Sequence, residues 1–197
     1  MGCGVESIGT AFAIDDRLLV TNRHVTEIDA TPQLVSRDGS RRLDAMVVGW
    51  SQDPDLAVLE VRQFVAPTLA WADSAGLTEG ELLVAFGYPT PGHDFAVTPT
   101  RIRSFVTDGA LRHAIRTDGR FDTGNSGGPA LTEEGRVAGV VAAFAGSEGD
   151  QLVPMLTTHD HLRPTLEALV RARPGVEVRC EDLDPRSHVA DGWAGPS

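Results

Sequence analysis

Gly124-Asn125-Ser126-Gly127-Gly128-Pro129 is the stretch on which the reading of this chain turns. A serine flanked by glycines can be held on a tight turn, its hydroxyl exposed, where a second backbone approaches without meeting a Cβ. A nucleophile needs that setting; the bland alternative is a glycine-rich hairpin turn with an incidental serine. Working outward, the chain on both sides alternates short apolar runs with turn residues. Strands are predicted downstream over 129–131, 136–145 and 151–156, and upstream over 94–106 and 110–117. Earlier still, strands are predicted over 7–14, 18–21, 33–36, 41–50, 56–61 and 81–87, separated by Asp15-Asp16, Asp38-Gly39, Asp53-Pro54 and Glu79-Gly80. The first six make one small barrel and the later set a second, with the proline-rich Tyr88-Pro89-Thr90-Pro91-Gly92 as linker.

Composition agrees with an all-β chain. Of 197 residues 41% are hydrophobic and only 6% aromatic, while 21 glycines and 12 prolines supply many turns. Leu162, Leu166, Leu169 and Val170 recur at three- and four-residue steps, predicting a helix over 160–173. Thr157, Thr158 or Asp160 would cap it, Pro164 would lie in its first turn, and Pro174-Gly175 would stop it. The polar run 181–197, with its Pro and Gly, reads as a loosely ordered tail.

Seventeen Lys plus Arg against 28 Asp plus Glu give a net charge of −11, with no basic block. That argues against nucleic acid or anionic lipid as partner, because binding phosphate requires a basic face. No stretch approaches the roughly 20 apolar residues of a membrane-spanning helix, and no signal-type leader opens the chain. Strand character from Ile8 onward suggests that Met1 opens an excised domain. Cys3 and Cys180 are too few and too far apart for a zinc site or a redox pair. A bridge between them and two ordinary thiols both remain open on this pattern.

A serine hydroxyl is a weak nucleophile at neutral pH and needs a histidine to take its proton, with an acid to orient that histidine. His24 stands at the end of the apolar strand in Leu18-Leu19-Val20-Thr21-Asn22-Arg23-His24-Val25. Asp55 opens Asp55-Leu56-Ala57-Val58-Leu59, a strand apolar on both faces, where a carboxylate is desolvated enough to hold an imidazole proton. Asp53 is the rival acid and by strand alternation would face the same way. Asn22 and Arg23 read as structural. His93, His113, His159, His161 and His188 carry no motif.

Gly9-Thr10-Ala11-Phe12, Thr21 to Val25, Asp55 to Leu59 and Gly124 to Pro129, in that order, resemble the chymotrypsin-fold serine peptidases of the bacterial Deg/HtrA type. The resemblance runs from about Ile8 to Leu169. It implies two six-stranded antiparallel β-barrels with a C-terminal α-helix, one barrel over 4–88 carrying His24 and Asp55, the other over 93–175 carrying Ser126. It also implies a serine endopeptidase acting on protein or peptide substrates, with no cofactor and no metal; separately, the chain is expected to be a monomer. Ser126 would attack the peptide carbonyl, His24 would shuttle the proton, and Asp55 would fix the tautomer. The N–H groups of Gly124 and Ser126 would form the oxyanion hole, each donor contributing about 3 to 4 kcal/mol.

Phe86-Gly87-Tyr88-Pro89 and Phe95 to Arg103 are similar to the inter-barrel segment of the mycobacterial acid-resistance periplasmic proteases, a membrane-tethered branch of this group. That likeness implies a Cys3 to Cys180 disulfide and an extracytoplasmic location. In this fold the base of the first specificity pocket lies six residues before the nucleophile, at Arg120, and its wall includes Ala142, Ala143 and Phe144. Arg120 would favour an acidic P1 side chain if it entered the pocket; the small wall residues favour uncharged ones. Two rivals stand beside this reading. Gly-x-Ser-x-Gly also opens the α/β-hydrolase elbow, which needs a helix after the serine. A binding module with the peptidase fold would need no complete triad.

Overall fold

The computed structural model describes residues 7–89, 94–148 and 151–178. Its first unit is a five-stranded antiparallel sheet ordered β1-β2-β5-β4-β3, built from β1 (Phe12–Ala13), β2 (Leu18–Thr21), β3 (Gln33–Val35), β4 (Arg42–Ser51) and β5 (Leu56–Val61). A one-turn helix, α1 (Arg23–Thr26), comes directly after β2. The second unit is a closed six-stranded barrel of β6 (Leu82–Gly87), β7 (Ala96–Asp108), β8 (Leu111–Thr117), β9 (Pro129–Leu131), β10 (Val137–Glu148) and β11 (Gln151–Thr158). The helix α2 (His159–Ala172) ends the described fold.

The all-β double unit with a C-terminal helix is as expected, but closure is not symmetric. The strand at 82–87, expected to be the sixth of the first unit, pairs instead with β7 and β9 and closes the second barrel. It faces partners on both sides there, Val84 opposite both Pro99 and Leu131, so its ladder is complete in the second unit. The strand expected over 7–14 contracts to two residues, because the backbone of Thr10 bonds to the serine turn and to Thr21 rather than to a neighbouring ladder. The chain leaves the serine turn as strand β9, not as a helix, which removes the α/β-hydrolase reading.

The apolar pattern of β5 explains how the units join. Leu56 and Val58 face a core shared with Phe12 and Val20 of the first unit, Val137 and Val140 of β10, and Leu162 and Leu166 of α2. Leu59 and Val61 face the opposite side, with Leu19 and Val47. A third core fills the barrel around Leu83, Ile102, Ile115, Val141 and Leu156. Burial of Leu162 and Leu166 contributes roughly 3–6 kcal/mol to docking α2, at about 1.5–3 kcal/mol per side chain. Thr158 caps α2, its hydroxyl accepting the His161 N–H at 3.4 Å, and Arg173 ends it in the left-handed region with φ of 46°. Pro164 falls in the second turn rather than the first. Among the described residues no helix is long and apolar enough to cross a membrane. Cys3, Cys180, His93, His188 and the expected tail at 181–197 lie outside the described residues.

Candidate active site

β2 and β5 pair antiparallel, with Leu18 opposite Glu60 and Thr21 opposite Ala57. In such a ladder each step forward on one strand is a step back on the other. Continuing past Thr21 therefore carries residues 22–24 toward residues 54–56, and this is how an acid 31 residues downstream reaches the histidine. Asn22, fully buried, has extended backbone angles and starts α1, so His24 rides on that helical turn rather than on the strand end. His24 Nδ1 lies 2.6 Å from Asp55 Oδ2, and the His24 backbone N–H donates to Asp55 Oδ1 at 3.1 Å. Asn22 Nδ2–H donates to the Asp55 carbonyl oxygen at 3.0 Å. A carboxylate so placed holds the Nδ1 proton and leaves Nε2 as the proton-accepting nitrogen. The two side chains are 38% and 34% exposed, so the pair opens to solvent rather than sitting sealed in the core.

Ser126 arrives from the second unit. Asn125 N–H donates to Asp122 O at 3.1 Å and Gly128 N–H to Asn125 O at 2.9 Å, giving two successive tight turns around the serine. Gly127 N–H to Val141 O at 2.9 Å and Val141 N–H to Gly128 O at 2.8 Å pin those turns to β10. Gly124 and Gly127 have φ of +91° and +83°. A Cβ at Gly124 would strike the Tyr88 carbonyl, and one at Gly127 the Thr10 carbonyl and Thr21 hydroxyl. Gly127→Ala thus adds backbone strain to a collision, and is expected to cost roughly 2–4 kcal/mol, read as a lower urea midpoint at unchanged slope.

Gly9 joins the two halves. A Cβ on it would lie 2.5 Å from Val25 Cγ1 and 3.2 Å from the Ser126 carbonyl oxygen, so bare backbone alone separates the neighbour of His24 from the serine's own peptide. Next to it, Thr10 N–H donates to Ser126 O at 2.8 Å. A family model described as a trypsin-like peptidase domain matches residues 9–140, a span that includes all of these residues. This chain belongs to that family.

The trypsin-like peptidase domain is similar to a probable periplasmic serine endoprotease, DegP-like, of Halomonas elongata, with 37% identity over 139 residues, 68% of this chain and 29% of that protein. It is similar to the serine protease Do-like HtrA of Bacillus subtilis, with 28% identity over 181 residues, 84% of this chain and 40% of that protein. The chain thus spans well under half the length of these curated relatives. Among solved structures, the HtrA-type protease AlgW with a decapeptide superimposes with a TM-score of 0.74 and 26% identity, over 84% of this chain and 52% of that one. An inactive form of Rv3671c from M. tuberculosis gives 0.72 and 26%, over 85% and 84%.

Within this trypsin-like peptidase domain the other sequence candidates divide. The Asp53 side chain is 93% exposed and meets His161 Nε2 at 3.6 Å. Residues 52–55 form a turn rather than an extension of β5, so strand alternation does not apply and Asp53 does not share the direction of Asp55. Arg120 is exposed, and it is its neighbour Phe121 that enters the barrel core. Ala142 is buried opposite Met155, while the side chains of Ala143 and Phe144 lie outside the described residues. Arg23 pairs with Glu27 at 3.0 Å and covers the Trp50 ring, the structural part expected of it. Thr10 was legible only as a strand residue, and Asn22 only as structural; an asparagine two residues before the histidine was the available signal for its grip on Asp55.

Three of the histidines without a motif, His113, His159 and His161, gather at the start of α2. His113 and His161 have ring centroids 4.4 Å apart, and His159 stacks on Trp71 at 4.6 Å. Burial, then the neighbouring His113, hold His161 below the usual histidine range, against Asp53; burial does the same for His159. A base with a depressed folded pKa takes its proton more readily when unfolded. Stability is therefore expected to be full above the ordinary histidine pKa of 6.5 and to fall as pH drops below it. Melting temperatures from about pH 7.5 to about pH 5 should decline, and His161→Gln should flatten the decline; an unchanged slope in that variant counts against the account.

Proposed function

We propose that this chain is a serine endopeptidase that hydrolyses peptide bonds in protein substrates. Ser126 Oγ attacks the scissile carbonyl, His24 Nε2 takes its proton and later delivers it to the leaving amine, and Asp55 holds the imidazole and stabilises its cationic form. The N–H groups of Gly124 and Ser126 receive the oxyanion. The observation that carries this reading is the 2.6 Å approach of Asp55 Oδ2 to His24 Nδ1, on a unit whose residues 9 and 10 pack against the glycine-flanked serine. The endoprotease names of the relatives support the reaction, and the periplasmic ones support an extracytoplasmic location for this chain. Action as a monomer, a Cys3 to Cys180 bridge and a preference for uncharged P1 residues belong to the same reading. Buried Ala142 supports the last.

The test is labelling with a fluorophosphonate probe together with cleavage of an unfolded protein substrate. Both are expected of the unsubstituted chain, and neither of Ser126→Ala. A folded protein that takes no label and cleaves nothing refutes the enzyme and favours a binding module.

A further inference from the structure

Thr10 is 5% exposed and uses every polar atom it has. Its N–H donates to Ser126 O at 2.8 Å, its hydroxyl donates to Gly124 O at 2.7 Å and accepts the Tyr88 N–H at 3.2 Å, and its carbonyl accepts the Thr21 hydroxyl at 2.7 Å. One residue of the first unit thereby ties together the serine turn, the end of β6 and the strand end that leads into His24. The two carbonyls it holds, those of Gly124 and Ser126, flank the nucleophile on either side.

We propose that Thr10 is a positioning residue for the oxyanion hole, its hydroxyl fixing the peptide between Gly124 and Asn125. This rests on the serine-peptidase reading of the site. Gly124 is in the left-handed region, where a glycine has no side chain to restrict how the peptide beyond it rotates. The two proposed oxyanion donors, Gly124 N–H and Ser126 N–H, belong to the peptides immediately before and after that one, so rotation of it turns them relative to each other. A hydroxyl is needed because the same oxygen must give a proton to Gly124 O and take one from Tyr88 N–H; a methyl can do neither and leaves a buried carbonyl and a part-buried N–H without this partner. The role is one of geometry, since Thr10 touches the turn and not the reacting atoms.

Thr10→Val and Thr10→Ser separate the hydroxyl from the shape. With kcat expressed per site titrated by the fluorophosphonate, Thr10→Val is expected to lose about 10- to 100-fold in kcat on a peptide substrate, with KM within about twofold. Thr10→Ser, which restores the hydroxyl, should recover kcat to within about threefold of the unsubstituted chain. If Thr10→Val has no cooperative unfolding transition, Thr10→Ala removes the same hydroxyl and is read in its place. A kcat unchanged in the variant lacking the hydroxyl overturns the proposal, as does a Thr10→Ser that falls as far as Thr10→Val. Those results leave the labelled, active parent standing; a parent that takes no label removes the catalytic reading and this inference together.

Discussion

Ser126→Ala is expected to lower kcat on a peptide substrate by roughly 10^6-fold while shifting the melting temperature by no more than about 2 °C. The asymmetry arises from which atoms of the residue hold the turn. The Ser126 carbonyl accepts the Thr10 N–H, and the neighbouring peptides of Asn125, Gly127 and Gly128 make the turn and the ties to β10. None of these uses Oγ, so alanine keeps the same backbone. The atom that forms the acyl bond is lost, and without it any remaining rate comes from oxyanion binding and orientation of substrate. Steady-state kinetics with a melting curve on the same preparation checks both halves. Retention of more than about a tenth of the parent rate would mean that the bond is broken by another group.

A second large loss is expected for Asp55→Asn, about 10^4-fold in kcat with the fold intact. Both carboxylate oxygens are engaged, Oδ1 with the His24 backbone N–H and Oδ2 with Nδ1. An asparagine has one acceptor oxygen. If that oxygen keeps the backbone N–H, the amide NH2 is turned on Nδ1 and selects the tautomer with its proton on Nε2, which cannot accept the proton of Ser126. The loop itself keeps its place, because Asn22 grips the Asp55 backbone carbonyl, which the substitution leaves alone. The fall should appear in kcat far more than in KM. A variant within about tenfold of the parent would show that the imidazole does not depend on this carboxylate.

Site and fold were legible to different depths. His24 and Asp55 could be chosen because each sits where an apolar strand ends or begins, and their meeting is a consequence of antiparallel register between β2 and β5. The turn at 124–129 could be chosen because two of its glycines occupy backbone conformations that other residues resist. The direction of Asp53 could not be read, since alternation assumes a strand and residues 52–55 turn. Nor could Thr10 be singled out: a threonine in a short apolar run reads as a β-former, and its four bonds go to positions 11, 78, 114 and 116 residues away.

Residue type, spacing and apolar alternation by themselves determined that the chain is all-β with one C-terminal helix and singled out Ser126, His24 and the Asp53 and Asp55 pair, because these depend on neighbours along the chain; the family resemblance favoured Asp55 of the two. Tertiary structure alone decided that strand 82–87 closes the second barrel rather than the first, that Asp53 faces solvent while Asp55 meets His24, and that Thr10 links both units to the serine turn. Those outcomes are set by which backbone groups find partners across long separations, and a buried N–H or carbonyl takes whatever partner the assembled fold brings to it.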